Sequence, residues 1–123
     1  MSNEKIELGK KGEEIAANYL KKKGYKIIER NYRSHPGEID IIALHKGTTV
    51  FIEVKTRGNV NFSLPQESVD ERKQRRIAKT ALNYICHKRL PEGKFRFDVV
   101  GVDFSSSKPE IALFQDAFQM DSD

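Results

Sequence analysis

Two apolar runs separated by a Lys-Gly pair constrain this chain more than any other feature. Gly37-Glu-Ile-Asp-Ile-Ile-Ala-Leu44 and Thr49-Val-Phe-Ile-Glu-Val-Lys-Thr56 have the length and β-branched content of strands. Between them, Lys46-Gly47 suits a two-residue hairpin loop with glycine in second place. With the turn placed there, the antiparallel register sets Asp40 opposite Glu53 and Glu38 opposite Lys55. Side chains alternate along a strand, so Glu53 and Lys55 share one face while Ile52 and Val54 take the other. The same rule puts Glu38 and Asp40 together, opposite Ile39 and Ile41.

Two carboxylates at one cross-strand position repel, and almost any other residue would relieve the repulsion. A divalent cation between Asp40 and Glu53 supplies a reason for the pair. Hard oxygen ligands suit Mg²⁺ or Mn²⁺, and Mg²⁺ commonly takes one or two protein carboxylates and completes its shell with water and phosphate. Lys55, two residues along the same face, is placed to orient or deprotonate an attacking water or to steady the phosphate. Together these outline a metal-assisted phosphodiester hydrolase. The alternative, two solvent-facing charges on a half-exposed sheet, sits poorly with the Ile, Val and Phe filling both strands.

The chain has 123 residues, in the range of one domain, with 37% hydrophobic and 33% charged residues. Leu8, Gly12, Ile15, Ala16, Tyr19 and Leu20 recur at helical spacing, predicting a first helix over 4–23 closed by Gly24. Near 100° per residue, Glu13 falls at the border of that apolar stripe, facing a cleft against the sheet, and Glu14 faces water. Strands are predicted over 25–32, 38–44, 49–56, 95–104 and 110–114. A second helix is expected from the Ser63-Leu-Pro-Gln66 capping signal to about residue 88, with Val69, Ile77, Ala81, Tyr84 and Ile85 inward. The order α-β-β-β-α-β-β predicts a single α/β domain over 1–118, with an acidic, disordered tail at 119–123. The single cysteine, Cys86, excludes an internal disulfide and reads as a small apolar filler. His35, His45 and His87 read as ordinary surface histidines. No apolar run is long enough to span a bilayer and no signal peptide opens the chain, so a cytoplasmic protein without a membrane partner is expected.

The net charge is +4 with a pI near 9.2. Residues 103–123 are acidic, whereas basic residues crowd between 72 and 96, the footprint of a polyanion binder. Arg72, Arg76 and Lys79 suit backbone phosphate contacts, which position a nucleic acid without reading sequence. Lys73 falls on the inward stripe of the second helix, where an unpaired charge is costly, so it is expected to meet the carboxylates or a phosphate. Arg57, ending the strand that carries Glu53 and Lys55, is placed for a bidentate phosphate contact.

Gly12-Glu13, Gly37-Glu-Ile-Asp40, Val50-Phe-Ile-Glu-Val-Lys-Thr-Arg57 and Arg96-Phe-Asp-Val-Val100, in that order, resemble the YraN-like family of uncharacterised bacterial proteins over roughly residues 8–104. That family in turn resembles the PD-(D/E)XK nucleases, particularly the archaeal Holliday-junction resolvases. The resemblance implies a restriction-endonuclease-like domain: a central mixed β-sheet flanked by helices. It implies a Mg²⁺- or Mn²⁺-dependent endonuclease acting on structured or branched DNA. It maps the helix-one acid to Glu13, the aspartate to Asp40 and the E-x-K pair to Glu53 and Lys55, with the Val54 carbonyl assisting Asp40, Glu53 and Glu13 around metal. Ile39 stands where the superfamily's name has proline. A symmetric cut in a four-way junction would call for a homodimer. The competing expectation is a non-catalytic nucleic-acid-binding module of DNA repair or uptake.

Overall fold

The first helix, α1 (Ser2–Lys22), turns its small and apolar residues onto a sheet; the computed structural model describes residues 2–58, 69–90 and 93–119. Gly12 allows a close approach there: a Cβ on it would run into the Thr56 side chain, so a larger residue would require Thr56 or α1 to shift. Gly24, at φ +92, ends the helix in the left-handed region that glycine tolerates, and the Tyr25 N–H returns to the Leu20 carbonyl at 2.9 Å.

Strands β1 (Lys26–Ser34), β2 (Gly37–His45) and β3 (Thr48–Arg57) form an antiparallel meander. Lys46 and Gly47 have φ +49 and +80, the left-handed pair of a tight hairpin turn. The register follows the turn as expected, pairing Ile41 with Ile52 and Ala43 with Val50. Helix α2 (Glu71–His87) then precedes β4 (Lys94–Asp103), which pairs parallel to β3 from Thr48–Lys94 to Arg57–Asp103. β5 (Glu110–Phe118) closes the sheet antiparallel, giving the spatial order β1-β2-β3-β4-β5. The element order is the predicted one, and the fold is a mixed five-stranded sheet with a helix on each face.

Each face has its own core. Ala16, Ala17 and Leu20 of α1 meet Ile41, Ala43, Val50, Ile52, Val100 and Val102 on one side. Ile77, Ala81 and Tyr84 of α2 meet Ile39, Ile42, Phe51, Phe97 and Val99 on the other. Burial on both faces explains why β3 and β4 read as near-continuous apolar runs.

Several boundaries differ from expectation. α2 begins at Glu71, capped by Asp70, whose side chain accepts the Lys73 N–H at 2.9 Å. Val69 is buried as expected but precedes the helix. The proposed Ser63–Gln66 start, most of the 57–64 loop and the tail beyond Gln119 lie outside the described residues. β5 runs four residues past Phe114 because Phe118 stacks on Phe97 at 4.8 Å, beyond an irregularity where Asp116 takes φ +53. Cys86 is exposed rather than a packed filler. His45 is a further correction: it is 7% exposed and stacks on Tyr25 at 4.1 Å. Its Nδ1 lies 3.1 Å from the Arg96 guanidinium, which grips the buried Asp98 through two nitrogens. Among the described residues, no helix is long and apolar enough to cross a membrane.

Candidate active site

β2 and β3 part company where the acids lie. Among the described residues their ladder stops at Ile41–Ile52, and one step further the Val54 N–H donates instead to the Asp40 carboxylate at 2.8 Å. On the other side of β2, Asn31 stands at φ +54 between the Arg30–Ile41 and Tyr32–Ile39 pairs. Both departures fall at the level of Asp40, one in β1 and one at the end of the β2–β3 ladder. Ile39 packs on the α2 side while Ile41 packs on the α1 side, contrary to the shared face that simple alternation predicts. Glu38 likewise does not reach Lys55 as a ladder partner; its carboxylate pairs with Arg33 at 2.8 Å.

The divergence opens a cleft of about 770 Å³ at this end of the sheet. Glu13 from α1, Asp40 from β2, Glu53, Lys55 and Arg57 from β3, and Lys73 and Arg76 from α2 all line it. Gly12 brings Glu13 there by seating α1 on Thr56, and Gly37 does the same for α2: a Cβ on it would lie 3.0 Å from the Thr80 hydroxyl. The structure therefore gathers residues 13, 40, 53 and 55, with 57, 73 and 76, into one space. Arg72 and Lys79 are exposed and are not among the cleft-lining residues. Glu14 faces solvent, as expected, and meets Arg30 at 2.9 Å.

The electrostatics bear the mark of crowded acids. Burial, then the neighbouring Glu53 carboxylate, pushes the Asp40 carboxyl up to about 8, against the opposing pull of the Val54 N–H. Burial also raises Glu13, partly offset by Arg30 and a hydrogen bond from the Asn31 side chain. Glu53 is 8% exposed and forms an ion pair with Lys73 at 2.5 Å. Burial disfavours the Lys73 ammonium, but Glu53, with smaller contributions from Lys55 and Asp40, reverses it and the net shift is upward. Lys55 moves the other way: burial and then the adjacent Lys73 lower it, so this amine gives up its proton more readily than a free lysine.

Arg30 escaped the sequence reading. Its guanidinium lies 4.0 Å from Glu13 and 2.9 Å from Glu14, and its buried Nε has no hydrogen-bond partner. The irregularity in β1 between Ile27 and Glu29 shifts its alternation, so the strand pattern alone does not aim Arg30 at α1.

A hard divalent cation fits the donor set at Asp40 and Glu53. Burial and then the Glu53 carboxylate make Asp40 hold its proton, and the Lys73 ammonium already stands against Glu53 as a cation would. Among the described residues no three His, Cys, Asp or Glu side chains form a ready-made ion cage. The fit is thus that of an open site, with two carboxylates from the protein and the remaining positions left to water and phosphate.

Comparison with known proteins places the chain in a family. A UPF0102 protein of Syntrophotalea carbinolica is 42% identical over 98% of both chains. One from Caldanaerobacter subterraneus is 50% identical over 82% of this chain and 83% of its own. One from Syntrophus aciditrophicus is 47% identical over 94% and 91%. The family profile itself matches residues 12–102, from Gly12 on α1 to Val102 on β4, and so includes every charged residue that lines the cleft. The chain belongs to the uncharacterised protein family UPF0102, the YraN-like proteins.

Proposed function

We propose that this protein is a metal-dependent endonuclease that hydrolyses DNA phosphodiester bonds, with structured or branched DNA as its substrate. The observation that carries the reading is the convergence of Asp40, Glu53 and Lys55 on one cleft, where burial and then Glu53 raise Asp40. Asp40 and Glu53 would hold Mg²⁺ or Mn²⁺, with the Val54 carbonyl beside them and Glu13 holding a second ion or its water shell. When bound, such an ion supplies Lewis-acid polarisation of the phosphate and lowers the pKa of a coordinated water.

The remaining work belongs to the chain. The lowered Lys55 amine orients the attacking water and accepts its proton. Arg57 and Arg76, at the cleft, meet the phosphodiester anion. Arg72 and Lys79, exposed on α2, extend the positive surface along the DNA backbone. Two copies related by a twofold axis would present paired sites to a four-way junction.

Millimolar Mn²⁺ is expected to raise the melting temperature of the wild type by mass action, and Asp40→Asn to remove the rise. A wild type whose melting ignores Mn²⁺ and Mg²⁺ would argue against the site. The exposed basic residues of α2 also favour a second reading, a binding module without catalysis. That reading predicts DNA binding that survives Asp40→Asn with Glu53→Gln but fails on charge reversal at Arg72 and Arg76.

A further inference from the structure

The ion pair between Lys73 and Glu53 sits where a metal-binding carboxylate should be free. Lys73 belongs to the first turn of α2, and its backbone is fixed by the Asp70 cap, which accepts the Lys73 N–H. Its side chain is 32% exposed, so one end is anchored while the four-carbon stem reaches from the helix into the cleft and touches solvent. The two carboxylates are satisfied differently. Asp40 accepts from the Val54 N–H, which any state of the site can keep. Glu53 is 8% exposed and answers to the partly exposed ammonium of another element. A buried carboxylate without a counter-charge is expensive, so some cation must stay beside Glu53 whenever the site is empty.

We propose that Lys73 is a tethered counter-ion: it holds Glu53 in the unloaded cleft, yields Glu53 to the divalent cation, and then turns to the phosphodiester of the bound DNA. This inference rests on the nuclease reading and assigns Lys73 the role of a positioning residue. The geometry favours exchange over a permanent structural bridge. Lys73 shares the cleft with Arg57 and Arg76, so an ammonium displaced from Glu53 enters a basic rim suited to a phosphate oxygen rather than an apolar wall. The same pair makes the empty site resist cations, because a divalent ion must first displace a unit positive charge from its ligand.

The test is Mn²⁺ titration by calorimetry of the wild type, Lys73→Met and Lys73→Arg, each checked for a native circular dichroism spectrum. Binding of a labelled four-way DNA is measured in parallel in Ca²⁺. Removing an adjacent like charge is worth a factor of about ten or more, so Lys73→Met should bind Mn²⁺ at least that much tighter while binding DNA more weakly. Lys73→Arg, which keeps the charge, should stay near the wild type in both. Folded Lys73→Met with Mn²⁺ affinity equal to or below the wild type overturns the inference and leaves the nuclease reading standing. Unchanged DNA affinity in Lys73→Met overturns the second half of the exchange. If neither protein binds Mn²⁺, both readings fall together; if only Lys73→Met binds it, the counter-ion role is supported in its strongest form.

Discussion

A carboxyl group held beside a second carboxylate and away from water keeps its proton well above the usual range, and Asp40 does so. Its folded pKa of about 8 lies above the ordinary 3.8, so the fold binds a proton that the unfolded chain has released. The sign follows from linkage: without metal, this group's contribution to stability falls as pH rises from about 4 towards 8. Asn cannot ionise and can still accept the Val54 N–H. In cation-free buffer Asp40→Asn should therefore melt about 5 °C or more above the wild type at pH 8, the two curves meeting towards pH 4. Equal melting at pH 8 would mean that Asp40 is not buried beside Glu53 as described. Much of this was legible in the sequence, because Lys46-Gly47 permits one tight turn and that turn fixes which residues face each other. What was hidden were the single residues that break a period: Asn31 in β1 takes φ +54 at the level of Asp40, and no side-chain pattern announces it. The sequence alone makes His45 a surface histidine, because its partners, Tyr25 and Arg96, are remote along the chain and meet it only in the folded sheet.

Elements reach this site through close backbone approach, and glycine is the means. An alanine replacing a solvent-facing helix glycine gains up to about 1 kcal/mol from propensity. Gly9→Ala, with nothing within 4 Å of the new Cβ, should show that gain in chemical denaturation. Gly12→Ala, one turn on, should instead lose about 1–3 kcal/mol, because its Cβ would run into the Thr56 side chain and require Thr56 or α1 to shift. Gly12→Ala as stable as Gly9→Ala would contradict this packing and, with it, the placement of Glu13 over the cleft. Helix spacing exposed α1 well because its apolar stripe is continuous. α2 was harder to bound: Asp70 is an N-cap candidate one residue before a highly charged helix, but Val69 before it keeps the apolar phase and masks the boundary. β5 was cut short for a similar reason, since the irregularity at Asp116 resets the two-residue alternation before Phe118.

At the scale of the whole molecule, the sheet does one thing for function: it holds a parallel strand pair, β3 and β4, between two helices and lets β2 diverge from β3 at Asp40. The acids come from α1, β2 and β3 and the bases from β3 and α2, so no single segment carries the site. Membership of UPF0102 covers all these elements, which is why separated motifs in one chain were legible as a set. The excess positive charge and the basic face of α2 fit a polyanion partner, but charge alone does not separate cutting from holding. Cleavage does. Purified wild type and the Asp40→Asn/Glu53→Gln double variant should be incubated in Mn²⁺ with end-labelled linear, flapped and four-way DNA. Cuts by the wild type alone, strongest on the branched substrates, are the expected result. Intact DNA of every shape, from a wild type shown to bind Mn²⁺, would contradict it.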